Sequence, residues 1–288
     1  MANLQNVILI PTFNDWRSLN KLIKTINKNF KSKKVSSKIV IINDCSTTKI
    51  KLDNKKLSNI KSIEVLNLKK NLGSQKAIYI GLKYLKKIKF KSIITIMDSD
   101  GEDDPSKVFQ LSSLAKKNKK FIITANRSKR TENVFYKFIN LIRLSFTYLL
   151  TGQYLNFGNF GSFCSFNLKK ILSDPSVSLA YSAGIAQTFK KLKIYPIKKR
   201  VRFFGNSKVN FIFLIQHSFN IISVFNHIVF LRTLLILLIS FYFFNILIFF
   251  FVTIIFLFLN IFILLNRRYH FSANYGLQNI ESITKFKC

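Results

Sequence analysis

Acidic side chains are scarce in this chain: 12 Asp and Glu stand against 46 Lys and Arg in 288 residues, a net charge of +34. Cysteine is scarcer still. Cys45, Cys164 and Cys288 are far apart and odd in number, so they fit neither a disulfide framework nor a zinc site and agree with a reducing compartment. Two phosphate-binding fingerprints are missing. The first strand-to-helix turn lacks G-x-G-x-x-G, and no G-x-x-x-x-G-K-[ST] occurs, which disfavours a dinucleotide oxidoreductase and a P-loop ATPase. No nucleic-acid-binding motif accompanies the positive charge, and the lysines are scattered over the first 200 residues. An anionic bilayer or phosphorylated ligands are therefore expected as partners, and nucleic acid is not. The polar opening runs straight into a strand and reads as lacking a signal peptide.

The few acids are not evenly spread. Ile93-Ile94-Thr95-Ile96-Met97 is a short apolar run, and five of the twelve acids follow it within the seven residues 98–104. The run reads as a buried strand of a parallel sheet, with Pro105 opening the next helix. Like charges packed so closely call for a cation, and Asp98 and Asp100 supply the hard oxygen ligands that Mg²⁺ or Mn²⁺ prefer. A solvated turn that caps the following helix is the plainer reading of the same residues.

Other strands announce themselves in the same way. Val7-Ile8-Leu9-Ile10 ends at Pro11, Ile39-Val40-Ile41-Ile42 ends in Asn43-Asp44-Cys45-Ser46, and Ile63-Glu64-Val65-Leu66 leads to Asn71-Leu72-Gly73-Ser74. Phe121-Ile122-Ile123-Thr124 is a fifth. Helical spacing separates the strands, first from Ser18 as a cap to about Asn29, later through Ala77, Ile78, Leu82 and Leu85. Strands apolar on both faces and alternating with helices predict an open, mostly parallel α/β sheet, whose ligands bind at the strands' carboxyl ends. Polar clusters fall at those ends. Asp44 can accept a base N–H or a ribose hydroxyl there, and Asp98 and Asp100 can hold a cation that bridges a diphosphate.

Residues 228–265 carry one charge, Arg232. A single helix of that length would reach about 57 Å, against a hydrocarbon core of roughly 30 Å. Two short spans turning near Asn245 fit better, with one tilted span and an interfacial helix as the alternative. Lys and Arg flank both ends, which places both in the cytoplasm. Residues 211–227 mix aromatics with Gln, His and Asn, as an amphipathic helix on a bilayer does.

Several segments now line up as an ordered series. Pro11-Thr12-Phe13-Asn14-Asp15 is similar to P-x-[YF]-N-E, and Asn43-Asp44-Cys45-Ser46-Thr47 to D-D-x-S-x. Asn71-Leu72-Gly73-Ser74 with Ala77 and Gly81 is similar to N-x-G-x-x-x-A-x-x-x-G. The acidic turn is similar to D-A-D-L-Q-D-P-P, and Arg127 and Arg130 stand where a basic pair follows strand five. Gly161-Ser162-Phe163-Cys164-Ser165-Phe166 loosely matches S-G-F-[RK]-x-[FY], and Arg202-Phe203-Phe204-Gly205-Asn206-Ser207-Lys208 matches R-x-x-G-x-S-K. Together these resemble glycosyltransferase family 2, and within it the polyprenyl-phosphate branch of dolichol-phosphate mannose synthase-like and undecaprenyl-phosphate sugar transferases. The processive pattern Q-x-x-R-W is absent.

The resemblance implies a GT-A-like (Rossmann-like) fold in residues 1–210. An amphipathic segment (211–227), a transmembrane hairpin (228–266) and a cytoplasmic tail (267–288) follow. It implies an inverting transferase on the cytoplasmic membrane face, moving a sugar from a nucleoside diphosphate to a polyprenyl phosphate. Donor contacts are implied at Pro11, Phe13, Asp15, Asp44 and Asp98. Mg²⁺ or Mn²⁺ is implied at Asp98, Asp100 and Glu102, which stands where Gln is usual. Catalytic parts fall to Asp100, Arg127 and Arg130, and acceptor-phosphate contacts to Arg130, Arg202, Ser207 and Lys208. Transfer to a glycan or lipid hydroxyl, a non-catalytic nucleotide-sugar-binding role and a homo-oligomer are compatible with the same residues.

Overall fold

The computed structural model describes residues 6–33, 35–53, 57–128, 134–205, 211–243, 245–272 and 275–288. The first half of the chain runs β1 (Asn6–Thr12), α1 (Trp16–Lys31), β2 (Ser37–Asn43), β3 (Ile60–Leu68), α2 (Ser74–Lys87), β4 (Ile93–Ile96), α3 (Val108–Lys117), β5 (Ile122–Ser128) and α4 (Val134–Thr151). After these come β6 (Phe157–Cys164), α5 (Leu168–Ile171), α6 (Tyr181–Thr188) and β7 (Leu192–Lys198). The last elements are α7 (Phe211–Val224), α8 (Asn226–Phe243), α9 (Ile246–Ser272) and β8 (Ile280–Lys287). Two compact units result. One comprises Met1–Arg130, Asn156–Ser207 and Tyr275–Cys288, and the other Thr131–Leu155 and Lys208–Asn274.

The first unit is built on an eight-stranded sheet of order β7-β5-β6-β4-β1-β2-β3-β8. Its centre, β4-β1-β2-β3, is parallel as expected; β6 runs antiparallel to β4 and β5, and β8 antiparallel to β3. The apolar runs are continuous because both faces are buried. Ile8, Ile10, Ile39 and Ile41 join α1 and α3 in one core, while Val7, Leu9, Val40 and Ile42 join α2 and α6 in the other.

Three expectations change. Pro11 does not stop β1, which continues to Thr12. The β4 ladder on β1 covers only Val7 to Leu9, so Pro11's missing donor is not needed on that side. Ser18 does not cap α1 but lies buried inside it, since the helix begins at Trp16. The segment read from the sequence as a cytoplasmic tail, with no strand expected in it, contains β8, paired with β3 from Ser62↔Lys287 to Leu68↔Ile280. Its apolar residues, Ile280, Ile283 and Phe286, recur every third position and most of the strand is exposed, so no period-two signal marks it. Glu281, Lys285 and Lys287 keep this sheet edge charged.

The second unit consists of α4, α7, α8 and α9. The division therefore differs from the sequence expectation, because α4 sits with the apolar C-terminal helices and not with the sheet. Residues 226–243 and 246–271 are each long and apolar enough to cross a membrane. Only 22% and 6% of their most apolar windows are buried, which is unlike the core helices of a soluble domain. The turn falls at Asn245, whose Oδ1 accepts the Ile248 N–H at 3.0 Å to cap α9. Arg232, the lone charge of the run, donates to the carbonyls of Tyr148 (3.3 Å) and Leu149 (2.8 Å) in the last turn of α4. Orphan carbonyls at a helix end are natural partners for a cation. Asn260 donates to Thr233 (3.0 Å), and Asn266 to Asn220 (3.2 Å) and Ser223 (2.9 Å), so amide and hydroxyl bonds tie α9 to α8 and α7.

Candidate active site

Every sequence-predicted acid in the described residues lies at the carboxyl edge of the sheet. The turn after β1 and the loop after β2 are sewn together. The Asn14 N–H donates to Ser46 Oγ (2.9 Å), its Nδ2 to Thr47 Oγ1 (3.1 Å), and its Oδ1 accepts the Thr48 N–H (3.2 Å). Pro11, expected among the donor contacts, is buried within β1 and so acts by shaping this turn; Phe13 keeps 37% of its surface exposed.

Asp44 is 3% exposed, and its two oxygens accept the N–H groups of Leu72 and Gly73, each at 2.8 Å. Gly73, at φ +87°, is the residue that opens α2. Burial raises the Asp44 carboxyl above its ordinary value despite these donors and nearby Lys76. An ionised carboxylate has about four acceptor positions, so two remain for a ligand N–H. Asn43, where the D-D-x-S-x motif it resembles has its first acid, donates to Asn67 Oδ1 (2.9 Å) and accepts the Ser46 N–H (3.0 Å). An aspartate could not make the first bond, which is a structural reason for the amide.

The acidic turn resolves into residues with different tasks. Asp103 is 3% exposed and accepts the Asp98 N–H at 3.0 Å. Asp104 accepts the Ser106 N–H at 3.0 Å and caps the turn of 3-10 helix that precedes α3. Glu102 pairs with Lys199 at 2.7 Å, and Asp104 with Arg200 at 3.2 Å. The expected three-carboxylate set of Asp98, Asp100 and Glu102 is thereby corrected: among the described residues no three Asp, Glu, His or Cys gather to hold a metal. The chain's own cations neutralise much of the cluster.

Asp98 and Asp100 remain. Asp100 accepts the Glu102 N–H at 2.9 Å and an Arg202 N–H at 3.0 Å. Burial, with Asp98 next to it, pushes the Asp100 carboxyl up to about 7, while the Glu102 N–H acts in the opposite direction. Asn159 on β6 donates to Asp98 Oδ1 at 3.3 Å and accepts from Gln75 at 3.3 Å. Gln75 in turn accepts the Tyr181 N–H at 2.7 Å. Neither Asn159 nor Gln75 was singled out in the sequence, because an isolated amide carries no spacing signal. Two neighbouring carboxylates at a strand end fit Mg²⁺ or Mn²⁺, which typically take one or two protein carboxylates and complete their shell with phosphate and water.

Arg202 was expected to face an acceptor phosphate. It instead bridges two acids, reaching Asp15 at 2.6 Å and Asp100 at 3.0 Å. Arg130, Ser207 and Lys208 lie outside the described residues, as does the side chain of Arg127.

The family assignment follows from the chain that builds this edge. Residues 7–174 match the sequence profile of glycosyl transferase family 2. The chain belongs to that family. Its mixed, mostly parallel sheet is a GT-A-like fold. Among solved structures it is similar to Mycobacterium tuberculosis glucosyl-3-phosphoglycerate synthase in complex with Mn²⁺, UDP-glucose and phosphoglyceric acid. That match has 14% identity and a TM-score of 0.54, covering 79% of this chain and 80% of the other. It is also similar to S. aureus TarS 1-349, at 13% identity and a TM-score of 0.41, covering 80% of this chain. The family 2 chain spans 65% of that 1-349 chain. No curated protein matches its sequence.

Proposed function

We propose that this family 2 glycosyltransferase moves a sugar from a nucleoside diphosphate to a polyprenyl phosphate at the cytoplasmic face of a membrane. The placement of β8 is the observation that carries this reading. The chain leaves the sheet-bearing unit after residue 207, runs through two membrane-length apolar helices, and returns to pair with β3. A chain that returns to the same sheet must cross a bilayer an even number of times. The transferase unit is then held at the surface where a lipid phosphate presents its headgroup.

The donor side has matching chemistry. Asp44 offers acceptor capacity to a base, and half-exposed Phe13 offers a ring face for stacking. Asp98 and Asp100 would hold the divalent cation; when bound, it supplies Lewis-acid stabilisation of the departing diphosphate. The mycobacterial synthase in complex with Mn²⁺ and UDP-glucose supports the pairing of a divalent cation with a nucleoside diphosphate sugar. Asn159 and Gln75 hold Asp98 in place. A phosphate acceptor is already anionic, so its attack requires no general base, whereas a hydroxyl acceptor requires one.

The test offers membranes containing the full chain labelled UDP-, GDP- and dTDP-sugars, with either undecaprenyl phosphate or undecaprenol. Label is expected in the lipid fraction only with the phosphate. Lys208→Ala should reduce it about ten- to a hundredfold, as expected for one lost charge-assisted contact of roughly 1.5–3 kcal/mol. Transfer to the alcohol, or an unaffected Lys208→Ala, overturns the acceptor assignment.

The topology has its own check. With the native cysteines replaced, a single cysteine at position 245 should react with a membrane-impermeant maleimide from outside intact cells. Cys288, retained alone, should react only after the cells are opened. Labelling of position 288 but not 245 from outside rules out the hairpin.

A further inference from the structure

The segment that follows β7 lies across the acidic turn. The Arg200 N–H donates to the Glu102 carbonyl and the Phe203 N–H to the Asp100 carbonyl, both at 2.9 Å. Lys199 and Arg200 take Glu102 and Asp104. Phe203 packs directly over Gly101, and the Arg17 guanidinium stacks 3.9 Å from the Phe204 ring centroid. In the middle of this strap, Arg202 uses all three guanidinium nitrogens, on Asp15, Asp100 and the Phe204 carbonyl. Its side chain is 17% exposed.

We propose that Arg202 is the built-in counter-ion of the Asp15–Asp100 pair and contends with the divalent cation for Asp100, so that the metal enters with the nucleoside diphosphate and not before it. This inference rests on the donor reading above. A bare Mn²⁺ that takes Asp100 must strip the guanidinium of one of its two carboxylates. The result is a largely buried cation with fewer partners, and such a group is costly. A diphosphate changes the balance, because its oxygens offer the displaced guanidinium the bidentate partner that it has lost. Metal and nucleotide binding are then coupled through one side chain, and coupling of this kind is reciprocal. The order of binding also protects the site: the acids are neutralised by protein until a donor arrives.

The experiment compares Mn²⁺ binding to the full-length chain in detergent, without nucleotide, for wild type, Arg202→Met and Arg202→Lys. Binding is read from the loss of the free Mn²⁺ electron paramagnetic resonance signal. Trp16, the chain's only tryptophan and the neighbour of Asp15, supplies a second signal. Arg202→Met is expected to bind Mn²⁺ alone at least tenfold more tightly than wild type. Arg202→Lys, which keeps the charge, is expected to stay within threefold of wild type. Phe204→Ala leaves Arg202 and every carboxylate in place but removes the ring under Arg17; it should loosen the strap and tighten Mn²⁺ binding severalfold. It decides the matter if Arg202→Met does not fold. Equal or weaker Mn²⁺ binding in the folded variants overturns the proposal while leaving the donor reading intact, provided that UDP or GDP with Mn²⁺ shifts Trp16 fluorescence in wild type. If neither nucleotide nor Mn²⁺ binds any of the proteins, the donor reading falls and the proposal falls with it.

Discussion

Asp100→Asn is expected to lower turnover about a hundredfold or more, the scale on which losing one preorganised electrostatic contact to a transition state registers. Asp100 joins three features of the site: it neighbours Asp98, holds the turn through the Glu102 N–H, and receives Arg202. An asparagine keeps an oxygen for the Glu102 N–H, so the turn should survive. It also relieves the repulsion with Asp98 but leaves Arg202 with Asp15 as its one carboxylate partner, so some loss of thermal stability is expected beside the loss of turnover. What it removes is the anionic ligand, and with it the means of holding a cation against the leaving diphosphate. Asp98→Asn should act the same way. The measurement is kcat in Mn²⁺ for both variants beside their thermal unfolding curves. Near-normal rates in EDTA for the variants and the wild type would dismiss the metal from the chemistry.

The second large effect is expected from one methyl group. Gly101 has φ +84°, and a Cβ there would stand 2.3 Å from the Phe203 ring. Gly101→Ala therefore meets two costs together. A left-handed backbone costs an L-residue about 1–2 kcal/mol, and the ring that anchors the strap must move. Asp100 sits on one side of this residue and Glu102 on the other, so both ion pairs to the strap should be disturbed. Activity is expected to fall at least tenfold, with a melting temperature lower by about 2–4 °C per kcal/mol lost. Gly205→Ala is the control. Its φ of +70° carries similar backbone strain, but nothing lies within 4 Å of the added carbon. If the two variants lose activity equally, backbone strain and not the Phe203 contact is responsible.

The parts of this molecule that could be read from its residues share a cause. Strands β1, β2, β3 and β4 are largely buried on both faces, so each carries a mainly apolar run, interrupted by Glu64 in β3 and Thr95 in β4, and the polar residues that follow it fall at one edge of the sheet. Asp44, Asp98 and Asp100 were visible for that reason, and because acids are so few here that five in one turn stand out. The two apolar helices were visible as one long, nearly uncharged stretch of sequence, the length that a membrane span requires. The turn at Asn245 was placed by length alone, and α9 extends to Ser272, beyond the expected limit.

Other features depended on distance along the chain. Asp15 and Arg202 are separated by 187 residues, and nothing in either local sequence states that one will hold the other. Arg202 read as a phosphate ligand because its motif suggested one; only the packed strap made it the partner of two carboxylates. Glu102 read as a metal ligand through the family resemblance, until Lys199 was found 2.7 Å away. Mostly exposed β8 gave no period-two signal, yet its pairing with β3 is what returns the chain to its own sheet. Local burial patterns, which neighbouring residues encode, determined the fold and the position of the acids. Which charge neutralises which acid was decided by tertiary structure alone, because ion pairs are chosen by proximity in space, and the sequence orders these residues only along the chain.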